Sequence, residues 1–540
     1  MDYDKILTEL GEFGPWQINI SILMWLPAII DGMMTMTASY SALAPNVFRC
    51  NIPDCDGPQF GGYEPRVLDN GTCFFSSDDI VTCDSSSTFT YDQDTFVMKS
   101  TLVTEFSMFC DESKQIWIPL FNSCFMIGLE IGSLMFGILS DNFGRRNTLV
   151  MAIILCSAAS AGGSFMPNYW SYALLRILVG VGSEGCFIVA FTMSIEIVGV
   201  REHVPGLPWV SFNTFQGNII AVPFALGEVF VSLMAMVINK WRDLELALSI
   251  LSMLCAVIWF VIPESPRWLI AKGKYIKAQK VIREAALKNG VMITEDVFTS
   301  DDDSEEVEEI IQYRFIDIFH KSVLKISLAM FVCWPVATLL FYGLTFSADK
   351  INLTDNTNVS FIIMCLMEIP SVIVLILLMD VWGRKPLFVF SLLIPGVSCA
   401  AAAWLEKGVI FTIFVLIGKF CASGAFSIAY IFTAELFPTS IRTTMIGACS
   451  TMARIGGILA PWVAVYLPDQ GSFSEQIPLY IFGASSVFGG LMALLLPETL
   501  GFPLPNTFHD VEKMKRNGKR MFSCVDPKQA GSQEEPGQST

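Results

Sequence analysis

The chain repeatedly enters apolar runs of about 20 residues, each long enough to cross a hydrocarbon layer about 30 Å thick. No feature constrains its fold more. A bilayer offers no water to unpaired backbone groups, so a spanning segment must be a helix or part of a closed barrel. The runs are longer and more uniformly apolar than alternating barrel strands. Only 16% of the 540 residues are charged, where soluble proteins carry about a quarter. The expected fold class is an all-α polytopic membrane protein.

Twelve spans are predicted: 18–46, 115–140, 148–166, 169–198, 209–238, 245–262, 326–348, 358–380, 386–404, 409–434, 443–467 and 477–496. Asp31 interrupts the first. The hydrophilic segment 263–325 divides them six and six. The expected organisation is an N-terminal six-helix half (1–262) with a large loop at 47–114, a central cytoplasmic loop (263–325), a C-terminal half (326–496) and a tail (497–540).

Lysine and arginine orient the bundle. With both termini cytoplasmic, 23 of the 34 basic residues fall on the cytoplasmic side, eight outside and three within spans. The 47–114 loop fits the opposite face. It holds Cys50, Cys55, Cys73, Cys83 and Cys110 and the glycosylation acceptor Asn70 in Asn70-Gly71-Thr72. Clustered cysteines and a sequon suit an oxidising exterior. Five cysteines allow at most two bridges within the loop, with the connectivity open. A plasma-membrane location is expected. The start of the chain is polar and acidic, unlike a cleavable signal peptide.

The halves repeat each other. Asp141-x-x-Gly144-Arg145-Arg146 follows span 2, and Asp380-x-x-Gly383-Arg384-Lys385 follows span 8. Arg176 in span 4 matches Lys419 in span 10. Glu196 and Arg201 close span 4 as Glu435 and Arg442 close span 10. Pro263-Glu264-Ser265 after span 6 matches Pro497-Glu498-Thr499 after span 12. All recur at offsets of 234–243 residues. Duplicated bundles of this kind are the frame of alternating-access carriers. The charges at the span ends are expected to pair across the two halves as a latch, broken in the opposite state. Topology alone would explain the arginines, but neither the aspartates nor the glycines.

These motifs carry a resemblance. D-x-x-G-R-[RK], PESPRWL (263–269) and AELFPTSIR (434–442) resemble the major facilitator superfamily. The long cysteine-bearing loop, YDKILTELGEFGPWQ, REAALKNGV (283–291), MEIPS (367–371), MARIGGILAPW (452–462) and LPETLGFPLPNT (496–507) are similar to its organic cation/anion/carnitine transporters. Span 7, CWPVATLLFYGLTF, lacks the paired glutamines of hexose transporters. The resemblance implies carriage of a small organic cation or a zwitterion such as carnitine. An organic-anion exchanger is the alternative within transport. A receptor on a carrier fold is the alternative outside it, and two intact sets of marks speak against that.

Charges inside spans are candidate functional groups because they are costly in lipid. Arg454 lies about 18 Å into span 11 at 1.5 Å per residue. It would either take a ligand carboxylate in a forked contact or pair with an acidic neighbour such as Glu368. Glu368 would meet a cationic ligand, or pair with Arg454 or Lys419. Trp334, Phe341 and Tyr342 in span 7, and Phe426 and Tyr430 in span 10, are candidates for cation–π contact through the resemblance. Without it, aromatic stripes in spans are ordinarily packing. Arg176 and Lys419 match across the repeat, which favours a shared structural role. Glu130, Glu184 and Glu228 have no counterpart in the other half; Glu130 departs from the apolar residue the resemblance implies.

His203, His320 and His509 all fall outside the spans, which excludes a histidine relay within the membrane. There is no phosphate-binding G-x-x-x-x-G-K-[ST] loop and no catalytic constellation, so neither an ATP-driven pump nor an enzyme is expected. No cofactor or metal is expected. The driving force would be the membrane potential, worth about 2.3 kcal/mol per charge per 100 mV, or an ion gradient, with Na+ coupling open. No basic face suggests a nucleic-acid partner; the expected partners are substrate and lipid, and the oligomeric state stays open.

Overall fold

The computed structural model describes residues 3–11, 14–43, 98–106, 116–197, 207–292, 318–348, 357–469, 476–502 and 507–517, with short pieces of the 48–91 loop and residues 108, 114, 203–204 and 505. Twelve apolar helical segments form the bundle, in the order predicted. They are Pro15–Ser41, Trp117–Phe143, Arg145–Gly163, Tyr169–Glu196, Phe212–Ile219 with Ala221–Val237, Trp241–Leu254 with Cys255–Phe260, Leu324–Phe346, Thr357–Leu366 with Glu368–Trp382, Arg384–Ala403, Val409–Leu436, Thr439–Pro461 with Trp462–Tyr466, and Ile477–Ala493. They are called spans 1 to 12 below. Ten are long and apolar enough to cross a bilayer unaided. Arg145–Gly163 opens on two arginines, and Ile477–Ala493 is shorter.

The edges moved for local reasons. Span 6 begins at Trp241, four residues before the predicted start. There Arg242 binds Glu105 at 2.6 Å and the Ser164 carbonyl at 2.6 Å. Spans 5 and 8, expected as continuous, are each broken. The breaks fall at Ile220 and Met367, three residues before Pro223 and Pro370. A proline has no N–H for the carbonyl four residues back and crowds it, so the helix restarts.

The same pairs pack in each set of six: span 1 with span 5 and span 7 with span 11, span 3 with span 6 and span 9 with span 12. Close approach depends on glycine. A Cβ on Gly128 of span 2 would fall 2.2 Å from the Ile177 carbonyl oxygen, and one on Gly180 of span 4 would fall 2.4 Å from that of Phe125. Backbones that touch this closely are the usual mode of helix packing in membranes.

One end of the bundle carries the N-terminal helix Tyr3–Leu10, the helices Pro266–Ala271 and Tyr275–Asn289, and the C-terminal helix Phe508–Asn517. Asn289 binds there to the backbone of Leu10 and Trp16 and to Gln17. Glu512 accepts from Ser322 at 2.7 Å, and Phe508 lies against His320, which holds Phe508–Asn517 to the start of span 7. This is the motif end. The 48–91 strands lie in the connection at the opposite, long-loop end.

Spans 2 and 11 show how the two sets meet. Toward the long-loop end, Ser123 accepts from the Trp462 indole at 3.0 Å and donates to the Ile458 carbonyl at 3.0 Å. Midway, Thr451 donates to Glu130 at 2.5 Å. Beyond that the contact stops: a Cβ on Gly137 or Gly447 would meet nothing within 4 Å. Spans 2 and 11 are therefore closed at the long-loop end and parted at the motif end. Span 5 and span 8 stay together along their length, through Val210, Phe215, Val372 and Ile376.

Candidate functional site

A cavity of about 530 Å³, partly open to solvent, lies between the two sets. Its walls are Asp31, Glu184, Phe187, Ala221, Phe224, Phe341, Tyr342, Glu368, Val372, Ser423, Phe426, Ser427, Tyr430 and Arg454. Six of the seven residues singled out as substrate contacts are among them: Arg454, Glu368, Phe341, Tyr342, Phe426 and Tyr430. Trp334 is not. It is fully buried behind the wall, its indole donating to Thr433 at 3.0 Å and its ring 4.6 Å from Tyr430.

The aromatic wall is built by helix periodicity. Phe426 and Tyr430 lie one turn apart on span 10, and Phe341 faces them from span 7. Phe341 stacks on Phe426 at 4.9 Å and 20°, and stands edge-on to Tyr342 at 5.0 Å. Phe224 of span 5 closes the opposite side, 6.4 Å from Phe341.

The charges pair differently from the sequence expectation. Arg454 does not meet Glu368. Its Nη2 binds Glu184 of span 4 at 2.7 Å, and its Nε lies 3.9 Å from Glu130 of span 2. Both acids belong to the first six spans, and sequence reasoning set them aside for lack of a repeat partner. For Glu184 that lack was a usable signal, since a repeat repeats scaffold; Glu130 in fact matches Glu368 at an offset of 238 residues, in LEIGS (129–133) and MEIPS (367–371). Glu368 pairs with Lys419 at 2.6 Å, one of the alternatives left open. Lys419 also donates to Thr345 at 2.7 Å and to the Phe341 carbonyl at 3.2 Å, and sits 4.0 Å over the Phe341 ring. Arg176 plays the corresponding part in the first set. It binds the Met34 carbonyl of span 1 at 2.6 Å and lies over the rings of Phe121 and Phe125.

Asp31, noticed in the sequence only as an interruption, is a cavity residue. Its carboxyl group accepts from Ser183 at 2.6 Å and makes no ion pair among the described residues. The walls thus hold three acidic side chains and one guanidinium, and that guanidinium is already engaged.

The charges at the span ends form two matching clusters. In the first, Arg145 binds Asp141 at 3.1 Å and Glu196 at 2.7 Å, and Glu264 accepts from the backbone N–H of Arg145 at 2.8 Å and of Arg146 at 3.2 Å. In the second, Arg384 binds Asp380 at 2.8 Å and Glu435 at 3.0 Å, and Glu498 accepts from the backbone N–H of Arg384 at 3.0 Å and of Lys385 at 3.1 Å. Glu264 and Glu498 place a carboxylate on the N-termini of spans 3 and 9, where the helix dipole favours it. Their equal place in the repeat was visible; their capping role was not. Gly144 and Gly383 both adopt φ of +96°, a conformation only glycine takes without strain.

Here the structure departs from expectation. The pairs were expected to cross between halves; among the described residues, the ion pairs of each cluster lie within its own set of six. Thr214 Oγ1 donates to Asp380 of the other set at 3.4 Å. The reason is geometric: Arg145 starts the helix after Asp141, and the ends of spans 4 and 6 lie beside it. Asp141 remains 74% exposed and Asp380 only 12%. Arg442, at the start of span 11, has buried Nε and Nη2 without a hydrogen-bond partner among the described residues.

Nine span cysteines are free thiols. Arg201, Asn70, Cys55, Cys83 and Cys110 lie outside the described residues, as do the side chains of Cys50 and Cys73, so the expected bridges and glycan fall there too.

Comparison with known proteins agrees with this geometry. The family described as sugar (and other) transporter matches residues 79–508. An organic cation transporter protein of Drosophila melanogaster is 30% identical, over 99% of this chain and 98% of its own. The human organic cation/carnitine transporter 2 is 28% identical, over 95% and 94%. Among solved structures, the proton:xylose symporter XylE bound to a bromodeoxyglucose superposes with a TM-score of 0.59 at 16% identity, over 92% of this chain and 99% of its own, a likeness of fold. The chain belongs to the sugar (and other) transporter family of the major facilitator superfamily, among relatives named as organic cation and carnitine transporters.

Proposed function

We propose that this protein carries small organic cations, and zwitterions such as carnitine, across the plasma membrane by alternating access. The observation that carries the reading is the charge balance of the cavity. Asp31, Glu184 and Glu368 face it with Arg454, and Arg454 is held by Glu184 at 2.7 Å. A cation entering finds Asp31 without an ion-pair partner and aromatic faces on three sides. Cation–π contact with such faces is worth about 0.5–2 kcal/mol per ring, more when water is excluded. A free anion would have to displace Glu184 from Arg454 while facing two further carboxylates. That weighs against an anion exchanger. A zwitterion meets the same competition at its carboxylate but brings its own cation for Asp31.

In this reading the motif end is cytoplasmic. Support comes from the basic residues counted there and from the two terminal helices and the central helices all lying at it. Parting of spans 2 and 11 at that end then corresponds to an inward-facing state. The end clusters stiffen each half, so that the halves move as bodies. Asp141 and Arg442 sit on the two spans that part. Closing that end would bring exposed Asp141 toward the under-bonded Arg442 guanidinium, giving the latch its cross-half contact. The membrane potential would favour cation entry, with a sodium requirement to be tested alongside.

Uptake of tetraethylammonium, carnitine and an aromatic carboxylate into expressing cells, with and without sodium, tests this. Tetraethylammonium or carnitine uptake above mock-transfected cells is expected. Uptake of the carboxylate alone, or of none with surface expression confirmed, would overturn it.

A further inference from the structure

Glu368 of the cavity wall also belongs to a buried group of charges with Glu228 and Lys419. Glu228 of span 5 is 1% exposed and Glu368 of span 8 is 2% exposed, and they belong to opposite sets of six. Their carboxyl groups are within hydrogen-bonding reach of each other, with the Cys365 thiol also against Glu228. Glu228 Oε2 makes no hydrogen bond among the described residues.

Lys419 is the cation of the group, and its protonation follows from its partners. Thr345 Oγ1 spends its own hydrogen on the Phe341 carbonyl at 2.9 Å, so toward Lys419 it can only accept. Phe341 O and Glu368 Oε1 are acceptors too. Lys419 Nζ lies 2.6 Å from Glu368 Oε1 as an ion pair, and its three contacts match the three N–H donors of an ammonium. With Lys419 charged, Glu368 is its counter-ion. Glu228 is then a second carboxyl pressed against a carboxylate, without a cation of its own. Two buried carboxylates in contact cannot both be ionised. An O–H between them removes the repulsion and satisfies the orphaned oxygen.

We propose that Glu228 and Glu368 hold a single proton between them, a proton site that ties span 5 to span 8. The remaining groups facing it are compatible. From span 1, Asp31 is held by Ser183 and Tyr40 lies beside Phe361 of span 8. Glu245 of span 6 is engaged by Tyr172. The Phe212–Ile219 segment carries no titratable side chain. Because the two acids sit on opposite sets, opening the long-loop end would separate and hydrate them, and each would ionise. A proton from that side is thus taken up on closing and released on opening. Closure of that end, on the alternating-access reading above, is favoured by acid outside. The site itself does not depend on which substrate is carried.

The test needs no substrate. Infrared spectra of the purified full chain in D2O separate protonated carboxyl from carboxylate. Glu228→Gln, which keeps a donor to Glu368, is expected to lose one protonated-carboxyl component present in the wild type at neutral pH. Glu368→Gln should lose the same component, since Glu228 then becomes the counter-ion of Lys419. A proton bound in the folded state and absent from the unfolded one makes stability fall as pH rises, by up to about tenfold in the folding equilibrium per pH unit. Wild-type Tm is therefore expected to fall with rising pH, above the ordinary carboxyl range, more steeply than that of Glu228→Gln. An unchanged carboxyl band in either variant overturns the proposal, as does a wild type with no such band at neutral pH. Loss of the wild-type band on replacing choline chloride with sodium chloride also overturns it, by assigning the site to a metal cation.

Discussion

Replacing Glu184 by glutamine should change which substrates the protein prefers more than how fast it works. Glu184 and Arg454 meet at 2.7 Å with side chains 9% and 6% exposed, so the pair is nearly dry. A hydrogen bond to a charged group in such a place is worth about 1.5–3 kcal/mol net. A substrate carboxylate must now compete with Glu184 for that bond. In Glu184→Gln the competitor is neutral, and the substrate could gain about 10- to 100-fold at 1.4 kcal/mol per decade. Glu130, 3.9 Å from Arg454 Nε, would partly re-engage the guanidinium and hold the gain near the lower end. The simple cation loses an attracting charge at the same time. The expected result is a carnitine KM reduced about tenfold and a tetraethylammonium KM raised a few-fold, both normalised to surface protein. If both constants shift by the same factor, or carnitine binding weakens, Arg454 has a structural role and does not read a substrate carboxylate.

Asp31→Asn should raise the KM for tetraethylammonium about tenfold, since loss of a charge-assisted contact costs about 1.5–3 kcal/mol; an unchanged KM would remove Asp31 from the cation site. Gly144→Ala would set a methyl 2.3 Å from Glu264 Oε2 at a φ of +96°. Such strain costs about 1–3 kcal/mol, so a lowered Tm and less protein at the surface are expected. Gly137→Ala, where the added carbon meets nothing within 4 Å, is the control and should match wild type in Tm and surface level.

Spacing and composition determined a great deal without help. Apolar length dictated the spans, because a bilayer leaves helices no alternative partner for their backbone groups. Repetition revealed the duplicated frame, and the two D-x-x-G-R motifs located the turns where glycine must take a positive φ. Phe341, Tyr342, Phe426 and Tyr430 were legible as candidate contacts through the family resemblance, but not that spans 7 and 10 face each other with them. The tertiary structure decided the pairing of charges. A span shows what lies on its own face but not which helix arrives opposite. Arg454 therefore found Glu184 rather than Glu368, and Glu368 found Lys419. Asp31 turned from a flaw in an apolar run into a cavity wall, and Trp334 withdrew behind Tyr430. Burial settles such pairings by cost. A charge removed from water must take whichever partner the packing brings within reach, and packing is a property of the folded bundle, not of any one of its helices.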